Sequence, residues 1–211
     1  AWFRGLRLDV GPGVFIPRLE TELVTECAVD EARRLVMAGS APSVIDLCAG
    51  TGAIALAIAN EVPGARVSAV ELDEAALVWT HRNLADTGVE VLAGDALEAP
   101  DDGRRFDVVV TNPPYLRRVD APVMPTDVTD HEPDLALFSG DDGLDLPRRL
   151  IDRAAQLLVP GGLFVMEHDD TQREALTGCM AMAAQWDEIE DHDDLAGRPR
   201  FVTARRRCKD V

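Results

Sequence analysis

The sequence predicts an α/β fold: a doubly wound, mostly parallel sheet with helices on both faces. Three observations predict it. Short runs rich in Val, Ile and Leu recur along the 211 residues, as strands covered on both faces should. Stretches with helical spacing separate those runs. A glycine loop comes after the first run and opens a helix, which in an open sheet marks the ligand crevice at the strand's carboxyl end.

The elements run in order from the N-terminus. "FRGLRLDVGPGVFI" (Phe3 to Ile16) alternates like a small hairpin, and "LETELVTECAVDEARRLVMAG" has helical spacing. "SVIDL" opens the sheet at Ser43, and "AIALAIANEV" continues as a helix. "ARVSAVEL" (Ala65 to Leu72) is the second strand; "DEAALVWTHRNLADTG" then starts acidic and ends at Gly88, as a helix does. "VEVLAG" (Val89 to Gly94) and "RFDVVVT" (Arg105 to Thr111) are the third and fourth strands. "LPRRLIDRAAQLLVPGG" leads into the fifth, "GLFVMEH" (Gly162 to His168), with Pro160 and Gly161 punctuating the helix exit. "WDEIEDHDD" and "PRFVTARR" add a terminal antiparallel pair, which brings the sheet to seven strands. One segment, "RVDAPVMPTDVTDHEPDLALFSGDDGLD", resists assignment and is expected to be a long loop, of the kind that is usually functional or disordered.

Composition excludes several function classes. With 46% hydrophobic residues the chain can bury one sizeable core. No apolar run reaches the ~18 residues of a membrane span, and "AWFRGLRLDV" lacks the apolar segment of a secretory signal. Cys27, Cys48, Cys179 and Cys208 form no C-x-x-C pair, and the four histidines are dispersed. A reducing cytoplasm is therefore expected, with no disulfide framework and no metal site. A formal charge of −17 makes a poor general binder of phosphate backbones. Arg104, Arg105, Arg117 and Arg118 are the local exception, and they read as solvated loop ends. The acidic run "DEIEDHDD" reads as a solvated face, and His168 as a capped strand end.

The glycine loop carries the first functional signal. In "VIDLCAGTGAIALAIA", Gly50 and Gly52 permit a sharp turn and close approach of a ligand to the backbone. The next helix N-terminus offers unpaired N–H groups. The dinucleotide pattern G-x-G-x-x-G fails, because Ala53 and Ile54 come directly after Gly52. The string D-x-x-x-G-x-G, starting at Asp46, instead resembles the S-adenosylmethionine loop of class I methyltransferases. About twenty residues on, Glu71 ends the second strand where it can accept both ribose hydroxyls. Asp95, in "AGDA" after the third strand, is placed to accept from an adenine amino group.

The second signal is "TNPPY", Thr111 to Tyr115, at the end of the fourth strand. Pro113 and Pro114 have no N–H to give, and Asn112 before them is held extended. The segment is a stiff shelf of carbonyls, one carboxamide and one ring. Its chemistry suits a planar NH₂ group, whose lone pair is delocalised and makes a poor nucleophile. Two acceptors, Asn112 Oδ1 and the Pro113 carbonyl, would grip both N–H groups and support the charge that grows as a methyl arrives. Tyr115 would cover the planar face.

The order of these motifs resembles the amino-methyltransferases that carry N-P-P-Y, and more narrowly the release-factor glutamine methyltransferase family (HemK/PrmC). The resemblance includes "PGVFIPRLETELV", "DLCAGTGAIALAIA", "NPPY", "EPDLALFSGDDGLD", "PGGLFVMEH" and "DLAGRPRFV", and so runs along nearly the whole chain. It implies a Rossmann-like class I methyltransferase that transfers a methyl from S-adenosylmethionine to the N5 amide nitrogen of a protein glutamine, that of the Gly-Gly-Gln loop of peptide chain release factors. By position it implies cofactor contacts from Phe15, Asp46, Cys48, Ala49, Gly50, Thr51, Gly52, Glu71, Asp95, Ala96 and Asn112. Asn112, Pro113, Pro114 and Tyr115 would hold the glutamine, with Asn112, Pro113 and Tyr115 in the catalytic role. The hairpin and helix of residues 1–40 would lead into a catalytic domain over 41–211, with no counterpart to the family's upstream helical docking domain. Departures are Cys48 and Ala49 in the loop, Leu19 for a proline and Ser139 for a glycine. The rivals are an N6-adenine or N4-cytosine nucleic-acid methyltransferase, which needs a basic groove, and a non-catalytic cofactor-binding subunit, which need not keep Asn112 and Tyr115.

Overall fold

The computed structural model describes residues 1–124 and 132–208. Two short antiparallel strands come first, β1 (Trp2–Phe3) and β2 (Leu6–Arg7). Arg4 and Gly5, both left-handed, form the two-residue turn between them. The hairpin is shorter than its alternation predicts, because Gly11, Pro12 and Gly13 break the alternating run beyond Val10. Phe3 and Leu8 bury themselves against Ala53 and Ala57.

The remaining elements are α1 (Thr21–Met37), β3 (Ser43–Leu47), α2 (Ala53–Glu61), β4 (Arg66–Glu71), α3 (Glu74–Leu84), β5 (Glu90–Ala93) and β6 (Phe106–Thr111). After these come the single turn α4 (Asp134–Leu137), α5 (Asp145–Leu157), β7 (Leu158–Glu167), α6 (Arg173–Met182), β8 (Trp186–Asp193) and β9 (Pro199–Arg206). Strands β3 to β9 form one sheet in the order β5-β4-β3-β6-β7-β9-β8. Pairing is parallel from β5 to β7 and antiparallel at β9 and β8. The sheet, its terminal pair and its doubly wound character are those read from the sequence.

Period-two alternation splits each central strand between two cores. Ile45, Leu47, Val109, Phe164 and Met166 face α5 and α6, where Leu150, Ile151 and Leu176 meet them. Val44, Val108, Val110 and Val165 face the other way, against Val24, Ala28 and Val29 of α1 and Ile54 and Ile58 of α2. Full burial of each such side chain stabilises by about 1.5–3 kcal/mol. Strand β3 is flanked by β4 on one side and β6 on the other, so the winding reverses there. The carboxyl ends of β3 and β6 therefore open the crevice that holds the site.

Three features depart from expectation. Strand β7 begins at Leu158 rather than Gly162, and a register shift opposite Phe106 and Val108 absorbs Pro160 and Gly161. A proline is tolerated inside a strand at such a bulge. The expected long loop holds a 3-10 helix at Arg118–Val123 and the turn α4; residues 125–131 lie outside the described part. The acidic run near the C-terminus is not wholly a solvated face. The Asp191 carboxylate is nearly covered, accepts from His168 Nε2 at 2.8 Å and pairs with Arg173 at 2.7 Å. His168 is itself fully buried, its Nδ1 2.8 Å from the Asp169 carbonyl.

Candidate active site

The loop after β3 has three left-handed residues, Cys48, Gly50 and Gly52. At Cys48 that conformation costs about 1–2 kcal/mol, since a Cβ crowds the following carbonyl. A Cβ built on Gly50 would meet nothing within 4 Å, so the loop presents bare backbone to open space at the crevice wall. Neighbouring side chains hold the loop in shape. Glu71 Oε2 accepts from the Gly50 N–H at 2.7 Å, and its Oε1 from the Asp73 N–H at 2.8 Å. Thr80 donates to the Gly50 carbonyl at 2.6 Å and Asn83 to the Thr51 carbonyl at 2.9 Å. Neither α3 residue is signalled by the sequence, where each is one polar position on a helix.

Burial raises the pKa of Glu71, and its backbone N–H bonds oppose that rise. Asp46 lies deeper. Burial pushes it up to about 8, the Ala55 N–H works against that, and the nearby Glu71 charge adds to it. Its Oδ2 accepts from Ala55 at 3.2 Å, an N–H of the first turn of α2, while Oδ1 is buried without a partner. Asp46 and Gly52 thus stand behind the crevice wall and shape the loop. Cys48, Ala49, Gly50, Thr51, Glu71, Asp95 and Ala96 are on the wall. Asp95 is fixed there by an Asx turn, its Oδ1 accepting from the Leu97 N–H at 2.9 Å. Burial also raises the Cys48 thiol pKa, so it is a packed side chain and no nucleophile.

Across the crevice, Leu47 of β3 is level with Thr111 of β6, and Thr111 with Met166 of β7. That register sets Asn112 at one strand end and Glu167 at the next. Asn112, Pro113, Pro114 and Tyr115 all line the crevice. Asn112 Nδ2 donates to Thr21 Oγ1 at 3.0 Å, which ties the amide's donor end to the start of α1. Tyr115 lines the crevice, and its hydroxyl donates to Glu167 Oε1 at 3.0 Å. Burial and the Glu167 carboxylate raise the pKa of Tyr115 well above normal, so the phenol stays neutral.

The two long motif strings meet as the roof. Phe15 and Pro17 come from one, and Pro133, Leu135 and Ala136 from the other. Arg18 joins them: its Nη2 is 2.7 Å from Oε1 of the buried Glu132, and its guanidinium lies 4.8 Å from the Phe15 ring centroid. Behind the roof, a Cβ on Gly143 would come within 2.2 Å of the Tyr115 carbonyl oxygen, at a φ of +77°. That position therefore requires glycine. Gln172 Nε2 donates to the same carbonyl at 2.9 Å. Ser139 takes the Leu146 N–H at 2.7 Å and so caps α5. Leu19 is exposed, and nothing in the structure requires it.

The arginines beside the shelf have partners of their own. Arg104 pairs with Glu90 and Asp102, Arg117 with Asp120 at 2.7 Å, and Arg118 with Asp134 at 3.1 Å. Among the described residues no helix is long and apolar enough to cross a membrane.

Known proteins resemble this chain in sequence and fold. The model of the methyltransferase small domain matches residues 6–125. A release factor glutamine methyltransferase of Streptomyces coelicolor is 50% identical over 207 residues, 98% of this chain and 73% of that protein. The chain belongs to the release factor glutamine methyltransferase family. Similarity also extends to an enzyme named for a different activity. A 4-amino-L-phenylalanine/4-methylamino-L-phenylalanine methyltransferase of Streptomyces pristinaespiralis is 41% identical over 88% of this chain and 64% of its own length. Among solved structures, a Thermus thermophilus 16S rRNA methyltransferase in complex with AdoMet and guanosine superposes with a TM-score of 0.68. It is 23% identical, covering 98% of this chain and 49% of that one, and shows the class I methyltransferase fold.

Proposed function

We propose that this chain transfers a methyl group from S-adenosylmethionine to the N5 amide nitrogen of a protein glutamine, that of the Gly-Gly-Gln loop of peptide chain release factors. The observation that carries the reading is the Asn112 carboxamide. Its N–H end is tied to Thr21, and so its oxygen is the end left to accept from a substrate NH₂ beside the Pro113 carbonyl.

The residues at the carboxyl ends of β3, β4 and β5 fit the cofactor. The open space at Gly50 admits a ligand against the backbone, Glu71 would take the ribose hydroxyls, and Asp95 with Ala96 would meet the adenine. Bound there, the cofactor supplies an electrophilic methyl on a sulfonium. The chain's own task is then to present a nitrogen. Asn112 Oδ1 and the Pro113 carbonyl accept its two N–H groups, which orients the lone pair and supports the positive charge that develops on transfer. Phe15 and Tyr115 line the same crevice and would flank the transfer point and help exclude water. Transfer to such a nitrogen needs no general base beforehand. The proton leaves after the nitrogen has become cationic and strongly acidic.

The partnered arginines and the net charge of −17 favour a protein over a nucleic acid as the acceptor. On this reading the enzyme acts in the cytoplasm in translation termination, with residues 1–40 leading into the catalytic domain over 41–211. The test is to incubate the protein with methyl-labelled cofactor and release factor, 4-amino-L-phenylalanine, DNA or RNA, then locate the label by mass spectrometry. Label on the release-factor glutamine is expected. Label on an adenine, on the arylamine alone, or nowhere would overturn the reading.

A further inference from the structure

Outside the crevice lining stands Gln172, to which methyl transfer assigns no task. It is the N-cap of α6, yet its side chain makes no cap bond. Ser, Thr, Asp or Asn would serve the helix better there. The side chain instead reaches the shelf, with 3% of the residue's surface exposed. Its Oε1 accepts from the Asp169 N–H at 3.0 Å, and its Nε2 donates to the Tyr115 carbonyl at 2.9 Å. A longer contact of 3.4 Å takes the same Nε2 to the Asp142 carbonyl. Beside it, a Cβ on Gly143 would come within 2.7 Å of that nitrogen, so the backbone there packs directly on the amide. Three segments therefore meet at one carboxamide: the end of the shelf, the loop returning from the roof, and the turn after β7.

The shelf and the roof are joined just beyond this point. The Leu116 N–H donates to the Leu137 carbonyl at 2.8 Å, the Ser139 N–H to the Leu116 carbonyl at 3.0 Å, and the Arg118 N–H to the Gly140 carbonyl at 3.0 Å. Leu137 ends α4, whose Leu135 and Ala136 are part of the roof. The carbonyl that Gln172 holds thus belongs to the last residue before the two layers zip together.

We propose that Gln172 is a positioning residue that sets the gap between roof and shelf, the slot in which the acceptor amide meets the methyl. The inference rests on the acceptor role given to the shelf in the proposed function. The partners fix the polarity of the carboxamide. The Asp169 N–H only donates and the two carbonyls only accept, so the oxygen faces Asp169 and the NH₂ faces the shelf. This holds whichever way an amide is drawn. Without the tie, the slot loosens and the nitrogen drifts from the line of attack. The cofactor half, which Gln172 does not touch, keeps its shape.

Two variants test this in the whole protein with cofactor bound. Gln172→Met keeps the length and loses the hydrogen bonds, and Gln172→Glu makes the donor depend on a proton. In single-turnover transfer to release factor, Gln172→Met should lower the rate about 10- to 100-fold, the scale of a reacting group displaced by about 1 Å. Cofactor affinity, by calorimetry, should stay within about threefold, because transfer and cofactor binding are separable losses. In Gln172→Glu a protonated carboxyl still donates to Tyr115 and accepts from Asp169, whereas an ionised one turns acceptors on two carbonyls. The neighbouring loops bring the carboxylates of Asp169 and of Asp142, the latter paired with Arg148, and the His168 imidazole. Burial raises the pKa of a carboxyl placed there, so the variant's rate relative to wild type should fall as pH climbs from about 5 to about 8. An unchanged rate in Gln172→Met, a matching loss of cofactor affinity, or a Gln172→Glu rate equally low across that range would overturn the proposal.

Two readouts do not depend on turnover. Tyr115 is the only tyrosine, so a ¹³C label on the tyrosine carbonyl reports the very atom that Gln172 holds. Gln172→Met should shift that resonance, and a resonance left in place rejects the tie. The Leu116 N–H, bonded to Leu137 between shelf and roof, should exchange faster with solvent in Gln172→Met. If wild-type protein methylates no release factor, the functional reading fails, and these two signals alone judge the spacing claim. An unshifted carbonyl or an unaltered Leu116 exchange then rejects it.

Discussion

The two halves of the crevice are built differently. In the cofactor half, the stabilising bonds join residues 21 to 32 positions apart: Glu71 to Gly50, Thr80 to Gly50, Asn83 to Thr51. They act on backbone groups and hold a loop with left-handed residues. In the acceptor half, the bonds span 52, 91 and 114 positions: Tyr115 to Glu167, Asn112 to Thr21, Arg18 to Glu132. Those act between side chains and aim particular atoms. The contrast teaches that one half supplies a shape and the other a polarity. Damage to the first should appear in cofactor affinity, and damage to the second in turnover.

The largest expected effect is at Asn112. Asn112→Ala removes one of two acceptors for the incoming nitrogen and should lower kcat by about 10²–10³-fold, the usual scale for one transition-state hydrogen bond. Cofactor affinity should barely change. Single-turnover rates and cofactor calorimetry on the same preparation separate the two, and a large loss of cofactor affinity would erase the contrast. Glu71→Ala is the mirror case. It strands the Gly50 and Asp73 N–H groups at about 1–3 kcal/mol each and removes the ribose acceptor. Cofactor Kd should rise about 10- to 100-fold, with kcat at saturation within a few-fold of wild type. A kcat loss at saturating cofactor as deep as that of Asn112→Ala would show that the halves are not separable.

The same contrast explains what the sequence discloses. Strands buried on both faces show as Val, Ile and Leu runs, so β3, β4 and β6 are legible. Gly50, Glu71, Asp95 and Asn112 to Tyr115 are legible too, because each sits in a short string at a strand end. Thr21, Thr80, Asn83, Glu167 and Gln172 are not. Each is one polar residue to which its surrounding string assigns no role, and only the folded chain brings it to its partner. Asp46 shows the opposite outcome, since its string marks it as part of the cofactor loop while its side chain points at the N–H groups of α2. The early start of β7 is hidden by Pro160 and Gly161, which read as a stop and are instead taken up in a bulge.

The roof tests whether the acceptor half depends on side chains beyond the shelf. Arg18→Ala breaks the tie between the two motif strings and leaves the buried Glu132 carboxylate without its cation. Glu132 has 5% of its side chain exposed, so stranding its carboxylate should cost about 1–3 kcal/mol, less where water reaches it through the partly exposed Arg18 position. The expected signature is kinetic. KM for the protein substrate should rise several-fold as Phe15 and the turn α4 lose their common anchor, with kcat changing less. Steady-state kinetics at saturating cofactor would measure it, and a loss confined to cofactor affinity would move Arg18 to the other half.

The smallest effect concerns Asp46, on the side of shape. Its pKa is 3.8 as a free side chain and about 8 in the fold, mainly from burial. A raised folded pKa means that the fold binds the proton more tightly than the unfolded chain does. The resulting stability is full below about pH 4 and fades as pH climbs toward 8. Asp46→Asn keeps an acceptor for the Ala55 N–H and removes the titration. The Tm of the variant minus that of wild type should therefore grow steadily between those two pH values, in cofactor-free protein. A difference that stays flat across the range would mean that Asp46 carries its charge in the fold. The loop would then be held by an ion at the foot of α2, fixed by the Ala55 N–H rather than by a shared proton.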